Sequence, residues 1–95
     1  MIVIRVQLAV QPEQRTAFVN QLKSEMESVP SMFSGCQQYR LYADVTDENQ
    51  FMLYEEWDSL EAFDAYRHSE AFKANGQVLF PMLAGKPDSA YYAAE

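Results

Sequence analysis

Apolar and mixed residues alternate strictly over the first ten positions, and this period of two limits the fold more than any other feature of the sequence. An apolar side chain at every second position predicts a β-strand that covers a core with one face. The opposite face is mixed rather than cleanly polar, since Val3 and Ala9 lie on it beside charged and amide side chains. The apolar face consists of Ile2, Ile4, Val6, Leu8 and Val10.

The pattern after this strand predicts a helix from Pro12 to about Val29. Proline is favourable in the first turn of a helix, because an N–H at that position would have no partner within the helix. The Pro30–Ser31 pair is expected to end the helix and open a loop. Apolar side chains recur at helical spacing in this segment at Phe18, Leu22, Met26 and Val29.

Two further strands are predicted in the middle of the chain, joined by a turn. They cover about residues 37–43 and 51–57, and the second of them is the most aromatic run in the chain. Residues 44–50 are mostly acidic, amide and hydroxyl side chains, which favour a turn and therefore a hairpin. The sequence leaves open whether the face with Glu55 or the face with Glu56 covers the core.

The second half of the chain predicts a broken helix followed by a short strand. Asp58 offers an N-cap, and Glu61 follows it at the spacing of a capping box. Ser69 restarts the helix, residues 85–87 end it, and residues 89–94 are strand-like. With the broken helix counted once, the order β-α-β-β-α-β is an α+β, ferredoxin-like plan: an antiparallel sheet with helices on one face. A single domain is expected over residues 1–95.

Charge and composition exclude several classes of partner. Seven basic and fourteen acidic residues leave a net charge of −7, so neither nucleic acid nor a membrane surface is expected to bind. One cysteine and one histidine are too few for a disulfide or a zinc site, so no metal is expected. The N-terminal run lacks the features of a signal peptide, and no stretch approaches the roughly 18 apolar residues of a spanning helix. A cytoplasmic protein is therefore expected.

Aromatic side chains are the most distinctive candidates for function. Thirteen residues are Phe, Tyr or Trp, and many lie on the second and third strands or on the helix that follows them. Each one alone is most simply a core residue. Together they could line a pocket for a planar apolar ligand between helices and sheet. They include Tyr39, Tyr42, Phe51, Tyr54, Trp57, Phe63, Tyr66 and Phe72.

Several short motifs occur along the chain in a defined order and spacing. They are Gly35-Cys36-x-x-Tyr39-x-Leu41-Tyr42, Phe51-x-Leu53-Tyr54-Glu55-Glu56-Trp57, Ala62-Phe63 and Ser69-x-x-Phe72-Lys73, with Pro12 before them and Leu83-Ala84-Gly85-x-Pro87 after them. This set spans nearly the whole chain and resembles the antibiotic biosynthesis monooxygenase (ABM) family. The resemblance implies a dimeric ferredoxin-like α/β barrel. In many members it also implies oxidation of quinols or polyphenols by O₂ without a cofactor, whereas other members degrade haem or isomerise small metabolites.

The chain departs from this family at positions that hold histidine in many members. Those positions carry Tyr66 and Ala71, and His68 is displaced by two residues, about 200° around a helix. His68 is therefore either a catalytic candidate or a surface residue. The Asn, Trp and His of the haem-degrading branch fall on Val6, Tyr66 and Gly76. The resemblance thus gives no support for haem, and no cofactor is expected.

The predicted chemistry requires a base and an aromatic cage, because a dihydroxyaromatic reacts with O₂ once a phenol proton is removed. Glu55 or Glu56 is the candidate base, since burial would raise its pKa towards neutrality. The alternative is that both glutamates are solvated or paired with a basic side chain. The catalytic candidates are Glu55, Glu56, Tyr66 and His68, and the substrate-binding candidates are Tyr39, Tyr54, Trp57, Phe63 and Phe72.

Two functions stay open at this point, and both predict a homodimer. The favoured one is a cofactor-independent monooxygenase acting on a small quinol-type aromatic, and the other is a non-catalytic small-molecule-binding or regulatory dimer. Two helical segments can cover only one face of the sheet, so a second copy is the simplest partner for the other face. Large apolar side chains are expected there, either Tyr42, Met52 and Tyr54 or Leu41, Phe51 and Leu53.

Overall fold

The structure, a computed structural model, describes residues 1–93. These residues form the predicted elements in the predicted order, with the second helix divided in two. Single 3-10 turns at Pro12–Gln14 and Phe80–Met82 stand before the first helix and after the last. Ala94, the predicted last residue of the fourth strand, lies outside the described residues. The elements are β1 (Ile2–Ala9), α1 (Arg15–Met32), β2 (Cys36–Ala43), β3 (Gln50–Trp57), α2 (Leu60–Arg67), α3 (Glu70–Leu79) and β4 (Asp88–Ala93).

The strands form one sheet in the order β2-β3-β1-β4, and every neighbouring pair is antiparallel. β3 therefore lies between β1 and β2, which is the split β-α-β arrangement of a ferredoxin-like fold. This confirms the predicted α+β class. The sheet of one chain is open, with β2 and β4 at its edges, so closure into a barrel requires a second sheet.

The predicted end of α1 is wrong. The helix continues through Pro30 to Met32. A proline removes only its own bond to the carbonyl four residues earlier, and near a helix end the following bonds can still form. The N–H of Phe33 donates to the carbonyl of Val29 at 2.9 Å and so completes the turn that contains the proline.

The predicted N-cap of α2 is also wrong, by one residue. Ser59 caps the helix, because its hydroxyl oxygen accepts a hydrogen bond from the N–H of Ala62 at 3.1 Å. The carboxylate of Asp58 is engaged elsewhere and accepts a hydrogen bond from the amide of Gln37 at 2.9 Å. Ser69 caps α3 in the same way as Ser59 caps α2.

The core lies between the helices and one face of the sheet, and it settles the orientation of β3. Every second residue of this strand is buried, from Phe51 to Trp57, and Glu55 is one of them. The apolar face predicted for β1 covers the same core. The buried apolar side chains from β1, from the residue that follows it and from α1 are Ile4, Leu8, Val10, Phe18, Leu22 and Val29.

The uncovered face of the sheet carries large apolar side chains. Of the two predicted sets, Tyr42, Met52 and Tyr54 lie on this face, as neighbours across the β2–β3 pair. The other set packs under the helices. Among residues 1–93, no helix is long and apolar enough to cross a membrane.

Candidate active site

A cavity of about 170 Å³ lies between the helix-covered sheet face and the segment from α2 to β4. Most of its wall is aliphatic or aromatic. An engineered apolar cavity of about 150 Å³ in another protein holds benzene, so this cavity has room for a single aromatic ring. The apolar wall includes Ile4, Val6, Leu8, Leu53, Phe63 and Phe72.

Glu55 is the ionisable side chain that β3 places in this wall. Only 5% of its surface is exposed. The indole N–H of Trp57, two residues along the strand, donates to its Oε1 at 2.9 Å. Burial raises the pKa of Glu55 to about 7, the hydrogen bond from Trp57 opposes the rise, and the charge of Glu25 adds to it.

Glu25 is a second buried carboxyl group in the cavity wall, and it was not among the site residues predicted from the sequence. It lies on α1 and is 2% exposed. The hydroxyl of Tyr39 donates to Oε1 at 2.8 Å and the amide of Gln21 donates to Oε2 at 3.0 Å. Burial raises the pKa of Glu25, while these two donors oppose the rise. Its position between Leu22 and Val29 was the available signal, because it puts a carboxyl group in the apolar stripe of α1.

Two tyrosines connect Glu25 to the opposite wall of the cavity. The hydroxyl oxygens of Tyr39 and Tyr66 are 3.4 Å apart. Burial raises the pKa of Tyr39 well above its usual value and that of Tyr66 to about 12, and the hydrogen bond with Tyr39 opposes the second shift. Both phenols are therefore protonated near neutral pH; the Tyr39 proton is donated to Glu25, so Tyr66 is the available donor of the pair.

An aromatic cluster fixes the position of Tyr66. Its ring stacks on Trp57, with ring centres 5.1 Å apart and planes 19° apart. Phe33 and Phe72 meet the same ring edge-on, with centres 5.1 Å and 5.2 Å away. Such edge-on and offset contacts are favourable for aromatic rings, so the Tyr66 hydroxyl is held in a defined place.

The cavity opens to the surface beside α3. Phe72 of α3 and Phe80 just after it line the cavity and are partly exposed, and α3 has no fully buried side chain. Arg67 also lines the cavity, but its guanidinium donates to Asp64 at 2.7 Å and lies 5.6 Å from the centre of the Phe63 ring. The partly exposed rings of Phe72 and Phe80 therefore lie on the solvent side of the cavity.

The cavity brings together five of the nine predicted site residues: Glu55, Tyr39, Phe63, Tyr66 and Phe72. Trp57 lies behind them, fully buried, in contact with Glu55 and Tyr66. Trp57 therefore supports the cavity wall and does not line the cavity itself.

The structure separates the other three predicted site residues from the cavity. Glu56 and Tyr54 lie on the uncovered sheet face, where the Tyr54 hydroxyl donates to the Glu56 carboxylate at 2.6 Å. His68 is exposed at the end of α2, and its Nδ1 lies 2.9 Å from the carbonyl oxygen of Asp64. Successive residues of a strand point to opposite sheet faces, so Glu56 faces away from the cavity that Glu55 lines. His68 follows the last residue of α2 and does not turn towards the core.

Cys36 is buried at the start of β2, close to the site. Its thiol donates to the carbonyl of Gln38 at 3.4 Å, and burial together with the charge of Glu55 raises its pKa to about 12. The thiol is therefore neutral near pH 7. Within the part of the chain that the structure describes, no group of three or more His, Cys, Asp or Glu side chains could hold a metal ion.

The family model described as antibiotic biosynthesis monooxygenase matches residues 1–75, a segment that includes Glu25, Glu55 and Tyr66. The chain belongs to this family. The resemblance inferred from the short motifs is therefore confirmed. Among curated proteins, no sequence matches this ABM-family chain significantly.

Solved structures show the same fold. A protein from Caulobacter crescentus CB15 that carries the family's name is 28% identical, with a TM-score of 0.93 over 99% of this chain and 90% of that one. A protein of the same family name from Deinococcus radiodurans is 18% identical, with a TM-score of 0.90 over 100% of this chain and 93% of that one. A conserved protein from Methanosarcina mazei Go1 is 24% identical, with a TM-score of 0.91 over 99% and 92%.

Proposed function

We propose that this ABM-family protein is a monooxygenase that oxidises a small quinol- or polyphenol-type aromatic with O₂ and without a cofactor. The observation that carries the proposal is the buried carboxyl group of Glu55 in the wall of a ring-sized apolar cavity. Membership of the family supports the reaction class.

Glu55 serves as the base that removes a proton from a substrate hydroxyl. A phenol has a pKa of about 10, as tyrosine does, and an ordinary glutamate at about 4.3 is a weak base for it. Burial brings the pKa of Glu55 to about 7 and so reduces the difference to about three units. The proton moves from the phenol oxygen to the carboxylate, and an electron-rich phenolate is left in the cavity.

The reaction balances without an external reductant. The phenolate passes electrons to O₂, one oxygen atom bonds to a ring carbon, and the other leaves as water. For the simplest substrate, hydroquinone and O₂ give hydroxyquinone and water, so the ring supplies all the electrons that O₂ accepts. The apolar wall favours these steps because it excludes water from the phenolate.

The neighbouring aromatic side chains orient the ring. The Tyr66 hydroxyl is a donor near Glu55, so it can hold the substrate oxygen from which the proton leaves. The rings of Phe63 and Phe72 offer faces and edges for the aromatic substrate. Trp57 keeps the Glu55 carboxylate in one orientation through its indole N–H.

The protein acts as a homodimer in this proposal, with two uncovered sheet faces packed against each other. Tyr42 is 49% exposed and Tyr92 is 47% exposed on this face of a single chain. Isolated exposed aromatic residues are common, but several on one sheet face favour an interface. Packing of two open sheets would also enlarge a core that is small for a chain of 95 residues.

The alternative is a non-catalytic small-molecule-binding or regulatory dimer with the same cavity. One observation favours it: the position of a family histidine holds Tyr66, whose pKa of about 12 makes it no base near neutral pH. The two functions share the ligand class and differ only in whether the bound ring is oxidised.

Oxygen uptake with hydroquinone and methylhydroquinone tests the proposal. The wild-type protein should raise the rate above that of buffer, and Glu55→Gln should lower kcat by at least about 100-fold, the usual contribution of a general base. Glu56→Gln is the matched control, because it removes the same charge from the next residue on the opposite sheet face, and its kcat should be unchanged.

Binding of the same quinols, measured by calorimetry, separates the two functions. Binding without oxygen uptake above buffer would reject the monooxygenase and support the binding protein. Equal loss of activity in both glutamate variants would contradict the role of Glu55.

A further inference from the structure

We infer that Glu25 is a positioning residue for the proposed reaction: its buried carboxylate lies in the same cavity wall as Glu55, and its negative charge raises the proton affinity of Glu55. The inference rests on the proposed function for its catalytic meaning, whereas the coupling of the two carboxyl groups depends on the cavity alone. Glu25 was not among the site residues predicted from the sequence.

The two carboxyl groups lie in the wall of one mainly apolar cavity. They come from different elements, Glu25 from α1 and Glu55 from β3, and both are at least nine-tenths buried. Two carboxylates in one buried site cannot both ionise freely, so their titrations are coupled and the pair retains a proton to higher pH than either would alone.

Within residues 1–93, no unengaged basic side chain in the cavity wall relieves this repulsion. Among the described residues that line it, the basic side chain is Arg67 of α2, whose guanidinium is bound to Asp64 and rests on Phe63. The other titratable groups around Glu55 are the thiol of Cys36 and the phenols of Tyr39, Tyr66 and Tyr91, which are neutral when protonated. A proton is therefore the charge that the pair can take up.

The hydrogen bonds decide which carboxyl group holds that proton. Glu25 accepts from two donors, Tyr39 and Gln21, and these favour its ionised form. Glu55 accepts from one donor, Trp57. Glu25 is therefore the anion and Glu55 the group that gains or loses the proton next to the substrate.

This division has a chemical consequence for Glu55. The negative charge of Glu25 makes the proton more stable on Glu55 and so makes Glu55 a stronger base towards a phenol. The Glu25 carboxylate does this through the Glu55 carboxylate and need not touch the substrate.

The single tryptophan offers a test that needs no substrate. Its indole N–H donates to Glu55, so the one indole signal in a ¹H–¹⁵N spectrum reports the ionisation of that carboxyl group. In the wild-type protein the midpoint of this signal should lie near pH 7. In Glu25→Gln, which keeps the size and the acceptor for Tyr39, the midpoint should fall by about one pH unit or more.

Glu27→Gln is the matched control, because it removes a charge from an exposed position of the same helix. Its midpoint should equal that of the wild type. Tyr39→Phe is a second variant: it removes a donor that stabilises the Glu25 anion, so the midpoint should also fall. If Glu25→Gln does not fold, as judged by circular dichroism, Tyr39→Phe carries the test.

The pH dependence of oxygen uptake links the titration to the reaction. The midpoint of kcat/KM should shift in Glu25→Gln by the same amount as the indole signal. An unchanged indole midpoint in the folded variants overturns the inference, whatever the activity. A shifted midpoint with no oxidation in any variant confirms the coupling of the two carboxyl groups, rejects the proposed function and removes the catalytic meaning of Glu25.

Discussion

The buried Glu55 should make the protein less stable as the pH rises. The pKa of this group is about 7 in the folded chain, against about 4.3 for an unfolded glutamate. The folded state therefore holds the proton over a range in which the unfolded state has already lost it. The stabilisation that comes from the raised pKa of Glu55 is fully present below the unfolded pKa and is lost as the pH rises through 7.

The size of the effect follows from the shift. Each pKa unit corresponds to about 1.4 kcal/mol, so the full titration of Glu55 removes about 4 kcal/mol from the free energy of unfolding. Most of this loss, about 2–3 kcal/mol, falls between pH 5 and pH 8. The total free energy of unfolding of a domain is about 5–15 kcal/mol, so the change is large enough to measure.

Urea unfolding at pH 5 and pH 8 is the assay. For the wild-type protein the midpoint should fall by about 1–2 M between the two pH values. In Glu55→Gln the part of the fall that belongs to Glu55 should disappear, because the amide does not titrate. Glu25, whose pKa is also raised by burial, leaves a smaller fall of the same sign.

Glu27→Gln serves as the control for a simple change of net charge, since Glu27 is exposed. It should keep the wild-type dependence on pH. If Glu55→Gln and Glu27→Gln both kept that dependence in full, the Glu55 carboxyl group would not hold its proton in the folded state, and the basis for its role as a base would be lost.

Two further predictions concern packing and assembly. Gly35→Ala would bring a Cβ atom to 2.5 Å from the Cβ of Ala62 and should destabilise the chain by about 1–3 kcal/mol in urea unfolding, whereas Gly85→Ala, with no atom within 4 Å, should cost far less. Equal losses would show that α2 moves away from β2 without penalty. Sedimentation equilibrium should give close to twice 10.9 kDa, and Tyr42→Glu on the uncovered face should give the monomer mass. Val45→Glu, on the exposed turn, should leave the dimer intact, and a wild-type monomer would reject the sheet-to-sheet interface.

The order of the elements could be predicted because local patterns fix it. The alternation from Ile2 to Val10 and the helical spacing from Phe18 to Val29 each require a buried face, and the structure buries both. The end of α1 was predicted too early, at Pro30. The helix continues because the N–H of Phe33 donates to a carbonyl one residue before the proline, a bond that the local sequence pattern does not reveal.

The candidate site was harder to predict, since it depends on how strands and helices meet. Both faces of β3 carry aromatic side chains, so the sequence could not show whether Glu55 or Glu56 faces the core. In the structure, Glu55 is on the buried face and Glu56 is on the other. Glu25 is far from Glu55 in sequence and joins it only when α1 packs on the sheet. His68 was selected by its chemistry, but the end of α2 leaves it in solvent.

The burial of Cys36 affects how its thiol would react with a quinone, the product of the proposed reaction. Quinones are electrophiles that add to thiolates, and a protonated thiol is a poor nucleophile by comparison. The chain's single cysteine lies close to Glu55, with a pKa of about 12, and its sulfur is buried. A protein that releases a quinone from the neighbouring cavity would thus keep its own thiol in the form that resists alkylation, and repeated turnover would not consume the catalyst.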